Sequence, residues 1–339
     1  MHAVSNDGMH SWKKMPADTF GPPPVYRAGD WRDPLVFWDE RGQIWHLVLA
    51  AREKGGAERR QGVVAQYTSV DLHDWRLSEP LWKPGRYITQ ECPDVFFWNG
   101  WWYLMYSEFS DSFVTRYRMS RSLKGPWLAP TSGRDSVDGR AYYAAKTAVL
   151  DGRRFLFGWI ASREGAHDDG AWEWAGTLSI LETVQHKDGS LAFVIPDEVL
   201  KVFAQQIWAL PEDQTLNIGR DDGYVSRIVA TSVPADVHIR FAFEIGEDRA
   251  DLGVILRAST DGNHGYIIRF EPKRNRFVMD RWPRKRTGKE QWQISGDVPY
   301  AVELERQCPL GLGLHECDIV MEDDICLVNV DHEVCLSTR

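Results

Sequence analysis

The sequence predicts an all-β chain: a β-propeller whose opening blade is incomplete, followed by a β-sandwich. Three observations carry this. Apolar residues come in short runs rich in aromatic and branched side chains, broken by turns of Gly, Asp, Asn or Pro, which is strand rather than helix patterning. One hairpin pattern occurs three times. A second motif, ending in tryptophan, recurs at Trp12, Trp75 and Trp127.

The first hairpin runs from Asp33 to Trp38, turns at Asp39 to Gly42 and returns from Ile44 to Leu49. The second runs from Pro93 to Trp98, turns at Asn99-Gly100 and returns from Trp101 to Tyr106. The third runs from Ala144 to Leu150, turns at Asp151-Gly152 and returns from Arg154 to Trp159. Asn-Gly and Asp-Gly are the residue pairs that tight hairpins favour. The tryptophan motif reads SNDGMHSW, SVDLHDW and SRSLKGPW, and its copies stand 63 and 52 residues apart. That interval is long for a hairpin and suits a four-stranded propeller blade. The recurrence of Trp12, Trp75 and Trp127 in register marks them as packing residues. The first copy has no hairpin before it, so the chain is expected to open at the end of a blade.

Near Pro196 the pattern changes. Pro196-Asp197-Glu198 followed by Val199, Leu200, Val202 and Phe203 reads as one short amphipathic helix. The expected organisation is a propeller over residues 1–196, a linker helix over 197–206 and a sandwich over 207–339. In the last part VHIRFAFEI, LGVILRAS, GYIIRFEP, NRFVMDRW and DICLVNV alternate as strands with one buried face.

Composition excludes several classes. Among 339 residues, 40 Lys and Arg stand against 49 Asp and Glu, a net charge of −9, which argues against broad binding to nucleic acid backbones. The basic run from Lys273 to Lys289 reads as a solvated hairpin. No stretch approaches the ~18 apolar residues of a spanning helix, and no signal peptide opens the chain, so a membrane association is not expected and a cytoplasmic location is. Five cysteines without a C-x-x-C pair suggest free thiols. His315-Glu316-Cys317-Asp318 is the only metal-like cluster, but alternate residues of a strand face opposite ways, so no metal is expected. Nucleotide-binding and serine-hydrolase motifs are absent.

The candidate chemistry lies where the repeated hairpins begin, since the inner strands of propeller blades converge on an axial pocket. Asp33, in Arg32-Asp33-Pro34, and Glu91, in Glu91-Cys92-Pro93-Asp94, hold nearly equivalent repeat positions 58 residues apart. Two carboxylates from neighbouring blades facing one sugar ring is the arrangement that glycoside hydrolysis needs: one carboxyl protonates the leaving oxygen while another stabilises or attacks the anomeric centre. Burial and a second carboxylate are what keep such an acid protonated near neutral pH. The structural alternative is a buried acid that satisfies loop amides beside a proline.

WRDP, ECPD, RAYYAAKT, RRFLFGWI and a W-E-W-x-G-x-L segment from Trp172 to Leu178 occur in an order that resembles glycoside hydrolase family 32, which contains the invertases and fructan hydrolases. The resemblance covers most of the chain. It implies a β-propeller of five-bladed type with its first blade largely missing here, further sandwich strands after Arg339, retaining hydrolysis of β-fructofuranosides such as sucrose or short fructans, a small carbohydrate as the partner, and neither metal nor organic cofactor. It makes Glu91 the general acid/base and Asp33 the carboxylate that stabilises the transition state, with Arg32 fixing the fructosyl hydroxyls. Trp31, Tyr142, Tyr143 and Trp174 are expected to line the pocket. Lys146 is expected either to bind a hydroxyl or to pair with Asp94 or Glu91, and Asp94 to orient Glu91 or Arg32. The family's nucleophile is an Asp in a blade upstream of both motifs. It is expected to be absent from this chain, which would cripple turnover; Asp7, in the outer tryptophan motif, is not a substitute. Two other readings stay open: a non-catalytic fructoside-binding propeller, and a propeller glycosidase for arabinose- or xylose-type sugars. Oligomeric state is not legible.

Overall fold

The computed structural model describes residues 2–168, 170–209, 223–282 and 304–339. Two short strands, β1 (His2–Val4) and β2 (Lys13–Met15), pair first. A four-stranded antiparallel meander follows: β3 (Arg32–Asp39), β4 (Ile44–Arg52), β5 (Gly62–Ser69) and β6 (Arg76–Leu77). The second meander is β7 (Glu91–Trp98), β8 (Trp101–Glu108) and β9 (Val114–Ser120). The third is β10 (Tyr142–Leu150), β11 (Arg153–Arg163), β12 (Trp172–Gln185) and β13 (Leu191–Val194). These are propeller blades, each opening on one of the repeated hairpins. Helix α1 (Asp197–Val202) follows, its first turn acidic at Asp197 and Glu198 as the helix dipole favours.

Two four-stranded antiparallel sheets form a β-sandwich. They are built from β14 (Val237–Ile245), β15 (Leu252–Leu256), β16 (Gly265–Glu271), β17 (Arg276–Trp282), β18 (Leu304–Gln307), β19 (Gly313–Glu322), β20 (Ile325–Val330) and β21 (Val334–Thr338). One sheet runs β14-β19-β20-β21 and the other β15-β16-β17-β18. Phe243 of the first stacks on Phe270 of the second, ring centroids 4.3 Å apart. The expected basic run continues past Trp282 and there lies outside the described residues.

The chain divides into two compact units, one of Met1–Trp159, Thr177–Ser179 and Thr183–Ala192, the other of Ile160–Gly176, Ile180–Glu182 and Phe193–Arg339. In the first, apolar side chains of successive blades interleave: Val48 and Val64 of the first meander pack with Val95, Trp102, Leu104 and Tyr106 of the second. The other face of the first meander is covered by Phe20, Tyr26 and Trp31, which pack on Leu49, Val63 and Tyr67.

In the first meander the tryptophan motif forms the turn between the third and fourth strands. Ser69 Oγ donates to Asp71 Oδ1, which accepts the amides of His73 and Asp74. Asp7 is built the same way. It accepts from Ser5 Oγ and from the amide and hydroxyl of Ser11, and these bonds hold its carboxyl down to about 2. Trp127 is buried and Trp75 half-buried, as packing residues should be, but Trp12 is 58% exposed. The expectation that all three pack therefore fails at Trp12, whose own sheet has only two short strands.

Candidate active site

The first strands of the first two blades start with an irregularity. Pairing of β3 with β4 shifts register between Arg32 and Leu35, and pairing of β7 with β8 between Glu91 and Asp94. The residue at the bulge lies in the left-handed region, Asp33 at φ 58° and Cys92 at φ 49°, and Ala144 at the start of the third blade shares that conformation at φ 57°. Such a conformation costs a non-glycine residue on the order of 1–3 kcal/mol, and bulges re-aim the neighbouring side chain. Here they aim three side chains at one another.

The residues just before these three left-handed positions are Arg32, Glu91 and Tyr143. Arg32 Nη2 donates to Glu91 Oε1 at 2.8 Å, and the Tyr143 hydroxyl donates to Glu91 Oε2 at 2.5 Å. Glu91 is thus held from both sides by the blades that flank its own. Tyr143 is itself fixed, its ring stacked on Phe113 at 4.3 Å and tilted against Trp159 at 5.4 Å. Burial and the Glu91 carboxylate push the Tyr143 phenol far above its ordinary range, so it acts as a proton donor in a hydrogen bond.

Asp33 does not share Glu91's position, as the sequence suggested, but that of Cys92. Its Oδ2 accepts the Cys92 amide at 3.0 Å and stands 3.8 Å from Arg32 Nε. Arg32, not Asp33, is the residue in register with Glu91. Burial opposes the charge on Arg32, but its hydrogen bonds to Glu91 and Asp30 outweigh this and hold the guanidinium above its ordinary range. Burial and the Asp33 carboxylate push the Cys92 thiol up to about 12, which leaves it a poor nucleophile.

Several expectations are corrected. Tyr142 is fully buried and its hydroxyl donates to Leu156 O at 3.2 Å, with its ring against Gly158, where a Cβ would come within 2.6 Å of it. It packs its own blade because neighbours on a strand face opposite ways. Trp31 uses its ring in packing, stacked on Tyr26 and edge-on to Tyr67. Asp94 orients neither Glu91 nor Arg32. Its Oδ2 accepts from the amide and hydroxyl of Thr147, both at 2.7 Å, which ties the second blade to the third. Lys146 pairs with neither acid; its Nζ donates to Pro93 O at 3.4 Å. Trp174 is 64% exposed on β12 and belongs to the second compact unit.

Sequence reasoning missed Asp30. Its carboxylate joins Arg32 Nη1 to Arg52 Nη1, the latter at 2.9 Å. The signal was present in Asp30-Trp31-Arg32-Asp33, but Arg52 lies 22 residues on and only the hairpin register brings it close. In the sandwich, the metal-like cluster is dispersed: His315 bonds Asp331 and Gly311 O, while Asp318 bonds Arg240 and His238.

Residues 1–194 match the profile of the glycosyl hydrolases family 32 N-terminal domain. The chain belongs to glycoside hydrolase family 32. Its relatives in that family include a sucrose-6-phosphate hydrolase of Escherichia coli, 28% identical over 202 residues, which covers 56% of this chain and 40% of that protein. A raffinose invertase of Escherichia coli is 30% identical over 173 residues, 47% of this chain and 35% of that protein. The family 32 chain thus spans well under two thirds of the length of these relatives. Among solved structures, the exo-inulinase of Aspergillus awamori superposes with a TM-score of 0.70 at 18% identity, over 99% of this chain and 68% of its own, a likeness of fold. Among the described residues no helix is long and apolar enough to cross a membrane.

Proposed function

We propose that this family 32 chain carries the acid/base half of a retaining hydrolase of β-fructofuranosides, sucrose or short fructans. The observation that supports it is Glu91 gripped by Arg32 on one oxygen and Tyr143 on the other, with Asp33 beside Arg32. Glu91 protonates the leaving glycosidic oxygen and later takes a proton from the attacking water. Asp33 stabilises the oxocarbenium-like centre and, with Arg32, holds the fructosyl hydroxyls. Both oxygens of Glu91 accept hydrogen bonds at rest. Arg32 keeps Nη2 on Oε1, and the Tyr143 hydroxyl on Oε2 holds the carboxyl in place for proton exchange with the glycosidic oxygen.

The nucleophile is assigned to none of the carboxylates that precede Arg32. Asp7 is bound in its turn, Asp18 faces His2 and His73 at 2.9 and 3.2 Å, and Asp30 joins two arginines. The resemblance puts that group in a blade upstream.

Release of fructose from sucrose and 1-kestose tests the proposal, measured for this chain beside one extended through the upstream genomic sequence. Turnover by the extended protein alone, abolished by Glu91→Gln, supports it. Saturable binding by both without product favours a fructoside-binding propeller. Release of arabinose or xylose, with none of fructose, overturns the substrate class.

A further inference from the structure

Arg32 meets a carboxylate at each of its nitrogens. Nη2 lies on Glu91 and Nε faces Asp33 at 3.8 Å, while Nη1 is bonded to Asp30. Glu91 and Asp33 already have roles in the proposed reaction; Asp30 has none. Its side chain is partly buried, and its second oxygen is held by Arg52 Nη1 at 2.9 Å. Burial raises its pKa, but the bonds from Arg32 and Arg52 outweigh that and bring it below the usual carboxylate range, so it is an anion under working conditions.

Arg52 is anchored in turn. Its Nη2 donates to Glu58 Oε1 at 2.7 Å and to Gln61 Oε1 at 3.1 Å. Gln61 is buried and its amide nitrogen donates to the carbonyls of Gly55 and Gly56 at 2.8 and 3.1 Å. Those glycines sit at φ 87° and 71°, a turn that side chains other than glycine's resist. A chain of bonded groups therefore runs from the Gly55-Gly56 turn after β4 to the face of Glu91. A guanidinium on a flexible stem has several orientations, and a bidentate or fork-like anchor selects one.

We propose that Asp30, backed by Arg52, is a positioning residue of this site: it fixes the Arg32 guanidinium so that Nη2 faces Glu91 and Nε faces Asp33, and thereby sets how tightly a fructoside is held. The part that concerns fructosides rests on the function proposed above; the part that concerns Arg32 does not. The variants Asp30→Ala and Arg52→Gln separate the two, read by the Arg32 Nε–H resonance in nitrogen-15-labelled protein and by titration with 1-kestose.

In the wild type the Arg32 resonance is expected to be distinct and slow to exchange with water. Asp30→Ala should average it, and lower kestose affinity by about tenfold, the scale of one charge-assisted hydrogen bond. Arg52→Gln, which leaves Arg32 and Asp30 in place, should act in the same direction and more weakly; it also serves as the test should Asp30→Ala fail to fold. A resonance unmoved in both variants overturns the proposal, whatever happens to binding. A released Arg32 with unchanged kestose affinity overturns it as well. Absence of kestose binding in the wild type would sink the fructoside reading instead, and the Arg32 signal would then still decide whether Asp30 positions it.

Discussion

Arg32 and Glu91 hold the same place in consecutive blades, 59 residues apart, and their side chains meet at 2.8 Å. The bulge that recurs in these two blades brings this about, because it turns the residue before it out of the strand's alternation. A cation thus faces the acid/base candidate where the sequence alone suggested a second carboxylate.

Removing either member should have unequal consequences. Glu91→Gln keeps an acceptor for Arg32 and sets its amide N–H against the Tyr143 hydroxyl oxygen, and in the upstream-extended protein it is expected to lower fructoside turnover by about 10²–10⁴, the usual worth of a general acid or base. Its binding of 1-kestose should stay close to that of the wild type. Parallel kinetics and titration check this, and an unimpaired variant would remove Glu91 from the mechanism.

Arg32→Ala leaves the Glu91 carboxylate buried without its cation and should destabilise the chain by about 1–3 kcal/mol, below the full cost of a wholly buried pair because the guanidinium is partly exposed. Adding Glu91→Gln should recover part of that loss, since the amide carries no charge. Denaturant unfolding of the two single variants and the double one measures the coupling. Additive losses would show that the two side chains do not act as a pair.

Much of the fold was legible because its signals are local. Asn99-Gly100 and Asp151-Gly152 announced hairpins, and the sandwich strands β14, β16 and β17 followed from alternation alone. The site was legible by type and not by phase. Pro34 and Pro93 stand 59 residues apart, and aligning on them, rather than on the two acids, puts Arg32 against Glu91. The same one-residue phase separates Tyr143, which reaches Glu91, from Tyr142, which is lost in its blade. Asp30 stayed hidden because its partner is brought near by hairpin register, not by sequence distance. Trp12 misled for another reason: a motif fixes the turn, but burial depends on what the rest of the sheet supplies.

The tryptophans of the repeated turn should therefore differ in what they contribute. Trp127 is buried against the core shared by the first two blades, so Trp127→Ala should cost about 3–5 kcal/mol. Trp12→Ala, at a mostly exposed position, should change stability by no more than about 0.5 kcal/mol. Thermal unfolding of both variants checks the contrast, and equal losses would mean that Trp12 is covered in solution.

The sandwich carries its own pH signature. Asp318 is buried and accepts from Arg240 Nε at 2.7 Å and from His238 Nε2 at 2.5 Å. Burial raises its pKa, but the bonds from these two groups outweigh it and hold the carboxyl below its ordinary range. A group whose pKa is depressed by folding stabilises the fold above its ordinary, unfolded value and loses that contribution as pH falls through the folded one. The destabilisation caused by Asp318→Asn should accordingly be largest near neutral pH, begin to shrink below about pH 4 and diminish further as the wild-type carboxyl takes up its proton. Urea unfolding of both proteins between pH 7 and the acid limit of folding tests this. A penalty that is independent of pH would mean that Asp318 contributes through packing and neutral hydrogen bonds rather than through its charge.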